Sequence, residues 1–225
     1  MQRGLGNVPV RDRPPVVAIP AGLTPADAFL RTYRSTSNLQ AGSTLEFIDI
    51  DSVKPLLLGL CGSVSPELSI GTAIIYHSIR RQTQPEEYYP LAPPEFLTSL
   101  TELHPTPVAA LHVDLAVCTT QDKQAIAQSF PDSTIAVIDM ESIAVLRSFP
   151  QTAIVRVVSD DVTGDIPDLS RAFDDRGNLQ PLALAAAFAR QPIAAARLIR
   201  GSLLALNRLA IVTQAIVTQA NRRSS

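Results

Sequence analysis

Short apolar runs recur along this chain, and most of them end directly in glycine, serine or acidic residues. Apolar, often β-branched residues bounded by turn residues are typical of a buried strand. The sequence has such runs at 16–19, 55–58, 71–76, 134–138 and 153–158. Because these runs are apolar throughout and alternate with helical patterns, we expect an α/β fold. Its mixed central sheet would be flanked by helices in a three-layer sandwich.

The spacing of these elements predicts one domain. A chain of 225 residues is close to one large domain at about 150 residues per domain. Residues 1–15 are polar and contain proline, which predicts a flexible N-terminal tail, and residues 16–225 would form the domain. Helical patterns cover 181–190 and, beyond Pro192, a long C-terminal helix at about 193–220.

Composition and charge exclude several classes of function. The net charge is −2 and aromatic residues make up 5% of the chain, so nothing indicates a nucleic-acid partner. Cys61 and Cys118 are too far apart for a CxxC motif, and the histidines have no metal-ligand spacing. We therefore expect no metal or redox cofactor. The N-terminal residues contain no apolar signal region, so we expect a cytoplasmic protein.

Polar clusters follow three of the apolar runs, at 59–63, 139–141 and 159–161. Backbone N–H groups in a glycine turn can hold an anion, and a carboxylate such as Glu141 can accept hydrogen bonds from sugar hydroxyls. Asp160 is a candidate proton donor. Each cluster taken alone also fits a plain turn or a helix start. Together they indicate a small-molecule pocket at one edge of the sheet.

Two of these clusters carry a family resemblance. Residues 137–145 read VIDMESIAV, and residues 154–160 read IVRVVSD. This order and spacing resemble the signature of the nucleoside phosphorylase and nucleosidase family, which includes purine nucleoside phosphorylases and methylthioadenosine/S-adenosylhomocysteine nucleosidases. That signature is (V/A)-D-M-E-(G/S)-x-A-x-A, followed by a strand ending in R-x-x-S-D. Residues 58–64 and 70–72 are similar to its glycine turn and the following strand.

The resemblance implies a reaction and assigns residues to it. The family cleaves the N-glycosidic bond of nucleosides, here that of a purine nucleoside. By motif position, Asp160 would protonate the leaving base and Ser159 would orient Asp160. Glu141 would hold the ribose hydroxyls, and Met140 would pack on the sugar.

The nucleophile side is assigned by the same resemblance. Gly62 and Ser63 would line the phosphate or water side, with phosphate as a co-substrate if the reaction is phosphorolysis. Phosphorylases often carry Arg and Ser where this chain has Leu57 and Leu60. An apolar side chain cannot replace a charged donor, so phosphorolysis and hydrolysis both remain open.

Two further residues are supporting candidates. Asp27 is the carboxylate nearest the position of the water-activating glutamate in hydrolytic members. Arg171 would support the acid on the base side, or it is a surface arginine. Residues 165–201 loosely resemble hopanoid-associated phosphorylases, which implies a bulky or lipid 5′ substituent on the nucleoside.

Two alternatives from other classes remain open. The chain is either an enzyme or a catalytically degenerate nucleoside-binding or scaffold protein on the same fold. The C-terminal helix, with arginines in an apolar stripe, would either pack on the sheet or a second subunit, or lie on a membrane surface. We expect a homo-oligomer with a small-molecule nucleoside as ligand.

Overall fold

The computed structural model describes residues 55–92, 97, 105–130, 135–170, 172 and 180–223, with side chains up to residue 219. The predicted tail, the run at 16–19, Asp27 and Arg171 lie outside these residues. The described residues contain six strands: β1 Leu56–Ser63, β2 Ala73–Arg81, β3 Tyr88–Pro90, β4 Thr106–His112, β5 Ile135–Asp139 and β6 Ala153–Asp160. The helices of the described residues are α1 Thr120–Ser129, α2 Ser142–Ser148, α3 Pro181–Arg190 and α4 Pro192–Arg223.

The strands form a mixed sheet in the order β3-β2-β4-β5-β1-β6, and β6 also pairs with β2. This last pairing closes β2, β4, β5, β1 and β6 into a ring. Strand β1 runs parallel to β6 but antiparallel to β5. The predicted mixed α/β sheet with flanking helices is confirmed. Its closure was not predicted, because a run of apolar residues carries no information about its distant partners.

Alternate residues of the strands face two different layers. Ile154 and Val158 in β6 pack in the interior cluster with Tyr76 and Val137, whereas Val155 and Val157 pack on the other side under α4. Side chains of a strand point alternately to opposite faces, so both faces of β6 are covered. This explains why the strand was apolar throughout its length in the sequence.

Helix α4 covers the outer face of β6 and β1. It buries a stripe at helical spacing, which consists of Ala205, Leu209, Val212 and Ile216. A Cβ at Gly201 would lie 2.2 Å from the Ser159 carbonyl oxygen, so glycine lets the helix backbone approach the end of β6.

The opposite face of α4 exposes apolar side chains, among them Ile199, Leu203 and Leu206. Among the described residues there is one helix, at Pro192–Gln219, that by length and composition could span a membrane; 28% of its most apolar stretch is buried in the fold. Contact of α4 with a membrane stays a prediction.

Candidate functional site

The C-terminal ends of β5 and β6 lie on either side of the end of β1. Gly62 pairs with Ile138 in β5 and with Asp160 in β6. Neighbouring strands are about 4.8 Å apart, so the two ends are about 10 Å apart, with β1 between them. The structure thus brings the three polar clusters of the sequence to one place.

Asp160 ends β6 next to Gly62. Its Oδ1 lies 3.1 Å from Ser159 Oγ, which is also 3.2 Å from the Cys61 carbonyl oxygen. A Cβ at Gly62 would lie 3.0 Å from Asp160 Oδ2, so glycine leaves room for the carboxyl group. Asp160, Ser159 and Gly62 are therefore brought together.

Lys123 is the residue at this end that the sequence reasoning missed. Its side chain is 1% exposed, and its ammonium group donates to Asp160 Oδ2 and, at 3.0 Å, to the Asp161 carbonyl oxygen. Lys123 lies on the core-facing side of α1 with Ile126. Ile126, Ala127 and Phe130 follow Lys123 at helical spacing and pack in an apolar cluster. A lysine in line with these apolar residues was the available sign in the sequence that Lys123 is buried.

Helix α1 is fixed to the loop that follows Asp160. Asp165 Oδ1 accepts hydrogen bonds from the Thr120 N–H at 2.7 Å and its hydroxyl at 3.0 Å. The Ile166 N–H donates to the Cys118 carbonyl at 2.9 Å. Thr119 caps the helix by accepting from the Asp122 N–H. These bonds set the position of Lys123 relative to Asp160.

On the other side of Gly62, a buried guanidinium neutralises a buried carboxylate. Arg156 Nη2 lies 2.7 Å from Asp139 Oδ2, and both side chains are 1% exposed. Arg156 also donates to the Ser142 hydroxyl at 2.9 Å. Arg156 pairs with Gly59 across the β6–β1 ladder, and a Cβ at Gly59 would lie 1.9 Å from Nη1. Gly59 is thus needed here to make room for the arginine.

Asp139 links the sheet to α2. Its Oδ1 accepts from the Glu141 N–H at 2.8 Å and the Ser142 N–H at 2.7 Å, and its Oδ2 accepts from the Ser142 hydroxyl. Burial alone raises the pKa of Asp139, but Arg156 and the Ser142 hydrogen bonds outweigh burial and hold that pKa well below its usual range. Asp139 is therefore ionised at neutral pH and orients the start of α2.

Glu141 and Met140 lie at the surface of this end. The Glu141 side chain is 74% exposed and its Oε2 lies 3.2 Å from Arg156 Nη1. Met140 is 49% exposed. Glu141 is thus held at one point by a buried cation while most of the carboxylate stays accessible, which suits a group that accepts hydrogen bonds from a ligand.

The residues assigned to the phosphate or water side are engaged within the fold. Ser63 is fully buried, and its hydroxyl donates to the Ser65 carbonyl at 2.8 Å. Leu57 packs on the interior cluster and Leu60 packs under α4. The two leucines therefore point into different apolar layers.

Cys61 lies between the two ends and is buried. Burial raises the pKa of its thiol far above the ordinary range, so the thiol stays protonated. Burial likewise raises the pKa of Tyr76, whose hydroxyl donates to Asp139 Oδ2 at 3.4 Å. Among the described residues, no group of three or more His, Cys, Asp or Glu side chains is arranged to hold a metal ion.

Comparison with known proteins found similarity in structure alone. No family model matches the chain, and no curated protein matches it in sequence. The methylthioadenosine/S-adenosylhomocysteine nucleosidase of Streptococcus pneumoniae, solved with a transition-state inhibitor, matches with a TM-score of 0.50 and 14% identity. The match covers 76% of this chain and 72% of that enzyme.

This chain has the nucleosidase fold. The resemblance predicted from the sequence motifs is thereby confirmed at the level of the fold. The Colwellia psychrerythraea enzyme of the same kind, in complex with adenine, matches with a TM-score of 0.49 and 13% identity, over 76% of this chain and 69% of that one. Futalosine hydrolase of Helicobacter pylori matches with a TM-score of 0.40 and 15% identity, over 67% of each chain.

Proposed function

We propose that this protein cleaves the N-glycosidic bond of a purine nucleoside by hydrolysis. The observation that supports it best is the pairing of Gly62 with both strand ends. In a nucleosidase fold, this register puts a buried carboxyl group, Asp160, and an accessible carboxylate, Glu141, on the two sides of one strand end. Asp160 would protonate the base, and Glu141 would bind the ribose hydroxyls.

In this reaction Asp160 is the acid. Its O–H bond breaks and an N–H bond forms on the purine ring, while the electron pair of the glycosidic bond goes to the base. The oxocarbenium-like sugar is then attacked by water, which releases ribose and a proton. Glu141 holds the ribose hydroxyls during this step, and exposed Met140 packs on the sugar.

Hydrolysis is favoured over phosphorolysis by the side chains near the glycine turn. Leu57 and Leu60 are packed in apolar layers, and Ser63 donates to a backbone carbonyl. A bound phosphate depends on charged or hydroxyl donors, and these three residues provide none that is free. The nucleophile is therefore water.

The test is base release from methylthioadenosine, S-adenosylhomocysteine, adenosine and a lipid-substituted adenosine, each with and without phosphate. We expect release that does not need phosphate and that falls at least about 1,000-fold in Asp160→Asn, because the acid is lost. Circular dichroism checks that the variant folds. Phosphate-dependent release would contradict hydrolysis, and full activity of Asp160→Asn would contradict the assigned acid.

A second candidate function is nucleoside binding without catalysis. One observation favours it: Asp160 contacts Lys123 and Glu141 contacts Arg156, so cations already engage both carboxylates. A binding protein would take up adenine or methylthioadenosine in calorimetry and release no base from any nucleoside in the panel. Turnover that depends on Asp160 would exclude it.

A further inference from the structure

Lys123 is completely buried, yet its amino group reaches the carboxyl group that the proposed function uses as the acid. Burying a lysine costs free energy unless its charge is paired and its protons are accepted. Here Asp160 Oδ2 and the Asp161 carbonyl oxygen accept them. We propose that Lys123 is a positioning residue that selects Asp160 Oδ1 as the proton-carrying oxygen. This inference rests on the proposed function.

The chemistry of the donor decides which oxygen of Asp160 carries the proton. A lysine ammonium group has three donors and no acceptor, so the oxygen that faces it acts as an acceptor. Asp160 Oδ2 faces Lys123 Nζ. A proton placed on Oδ2 would point at an N–H group and find no partner there. The proton that Asp160 gives to the base is therefore carried on Oδ1.

The surroundings of Oδ1 fit a proton. Ser159 Oγ lies 3.1 Å from Asp160 Oδ1 and 3.2 Å from the Cys61 carbonyl oxygen. A hydroxyl has one proton and can also accept. When Ser159 donates to Cys61, its lone pair faces Oδ1 and accepts the carboxyl proton. When Asp160 has lost that proton, the Ser159 hydroxyl turns and donates to Oδ1.

The position of Lys123 is itself fixed by the fold. The start of α1 is tied to the loop after Asp160 through Asp165 and Ile166. The second contact of Lys123, to the Asp161 carbonyl, lies on the same loop. The ammonium group therefore holds the carboxyl plane in one orientation. Asp160 stays in a single rotamer in which Oδ1 faces the ligand.

The experiment measures kcat and KM for methylthioadenosine in Lys123→Met, Lys123→Arg and the exposed helix neighbour Gln124→Met as matched control. We expect Lys123→Met to lower kcat about 100-fold, as misplacement of a catalytic group by about 1 Å does. We expect KM to change less than about threefold, because the lost interaction acts in the transition state. Lys123→Arg keeps the charge and recovers about a tenth of the activity.

A double-mutant cycle separates positioning from a general effect on folding. In the Asp160→Asn background, Lys123→Met should lower kcat no further, because Lys123 acts through Asp160. An equal loss in both backgrounds would overturn the inference, and so would a wild-type kcat in Lys123→Met. If Lys123→Met does not fold, Lys123→Arg decides: reduced kcat with an unchanged KM supports positioning, and wild-type kcat overturns it.

The two proposals fail in different ways. A wild-type protein that releases no base overturns the proposed function, and this inference falls with it. A wild-type protein that is active and loses activity in Asp160→Asn, but not in Lys123→Met, overturns this inference alone.

Discussion

The two sides of Gly62 each hold a cation and a carboxylate assigned to the ligand, but they differ in how the cation is neutralised. Arg156 is paired with Glu141 and, more closely, with buried Asp139. Lys123 is paired, among the described side chains, with Asp160. Glu141 is thus an accessory partner of a cation already neutralised, whereas Asp160 is the side chain that accepts from Lys123. Of the two carboxyl groups, only Glu141 can separate from its cation with a small loss of free energy.

The sharpest test of this difference removes each carboxylate. Asp160→Ala leaves a buried ammonium group without the carboxyl group that accepts from it, which we expect to lower the free energy of unfolding by about 3–5 kcal/mol. Glu141→Ala leaves Arg156 paired with Asp139 and should cost less than about 1 kcal/mol. Urea denaturation of both variants measures the two values. Similar losses at the two positions would contradict the proposed difference between Asp160 and Glu141.

The next largest effect tests the fit of Arg156 over Gly59. Gly59→Ala puts a Cβ where the guanidinium lies, so we expect a loss of about 1–3 kcal/mol in unfolding free energy as the core readjusts. Gly71, whose added Cβ would meet open space but whose φ is +90°, is the control for backbone strain alone. A neutral Gly59→Ala would mean that Arg156 can leave Asp139 freely.

The pH dependence of stability tests the other partner of Arg156. The pKa of Asp139 lies below its ordinary value of 3.8 in the folded protein. Its contribution to stability is therefore fully present above that value and is lost as the pH falls below it, at up to about 1.4 kcal/mol per pH unit.

We expect Asp139→Asn to be less stable at neutral pH and to lose stability less steeply below about pH 4 than the wild type. Urea denaturation across that range gives both slopes. Asp161 also has a lowered pKa, despite burial, because Thr163 and Arg197 bind it, so part of the slope remains in the variant. Equal slopes in the two proteins would exclude Asp139 as a source of acid sensitivity.

The smallest expected effect on stability belongs to Glu141→Gln. Because the side chain is 74% exposed, we expect a change below about 0.5 kcal/mol in unfolding free energy. If Glu141 binds ribose hydroxyls, kcat/KM for methylthioadenosine should nevertheless fall about 10- to 100-fold, since hydrogen bonds to a charged group are lost. Unchanged kinetics would place the ribose elsewhere.

The motifs predicted much of the site because they are local. Asp139 to Glu141 end or follow β5 and Ser159 to Asp160 end β6, so neighbours in the sequence were enough to place each group at a strand end. Because β5 and β6 run in opposite directions, the proximity of the two ends depends on their register with β1. Lys123 was missed because its place in line with the apolar residues of α1 is a weak signal and its partner is distant in sequence. A lysine in an amphipathic helix is ordinarily a solvent-exposed residue, and its burial depends on a loop about 40 residues further along the chain.

Arg156 shows the same division between sequence and tertiary structure. As part of R-x-x-S-D it was visible in the sequence, but its partners lie on other strands and on α2.

Local patterns in the sequence were enough to predict strands β1, β2, β5 and β6, the two C-terminal helices and the polar groups at the strand ends, because apolar periodicity and turn residues act over a few neighbours. Tertiary structure decided the closure of the sheet, the burial of Lys123 beside Asp160 and the contact of Arg156 with Gly59. These features depend on register and packing between distant segments. A charged group can be buried without a large loss of stability only when its partner is in place.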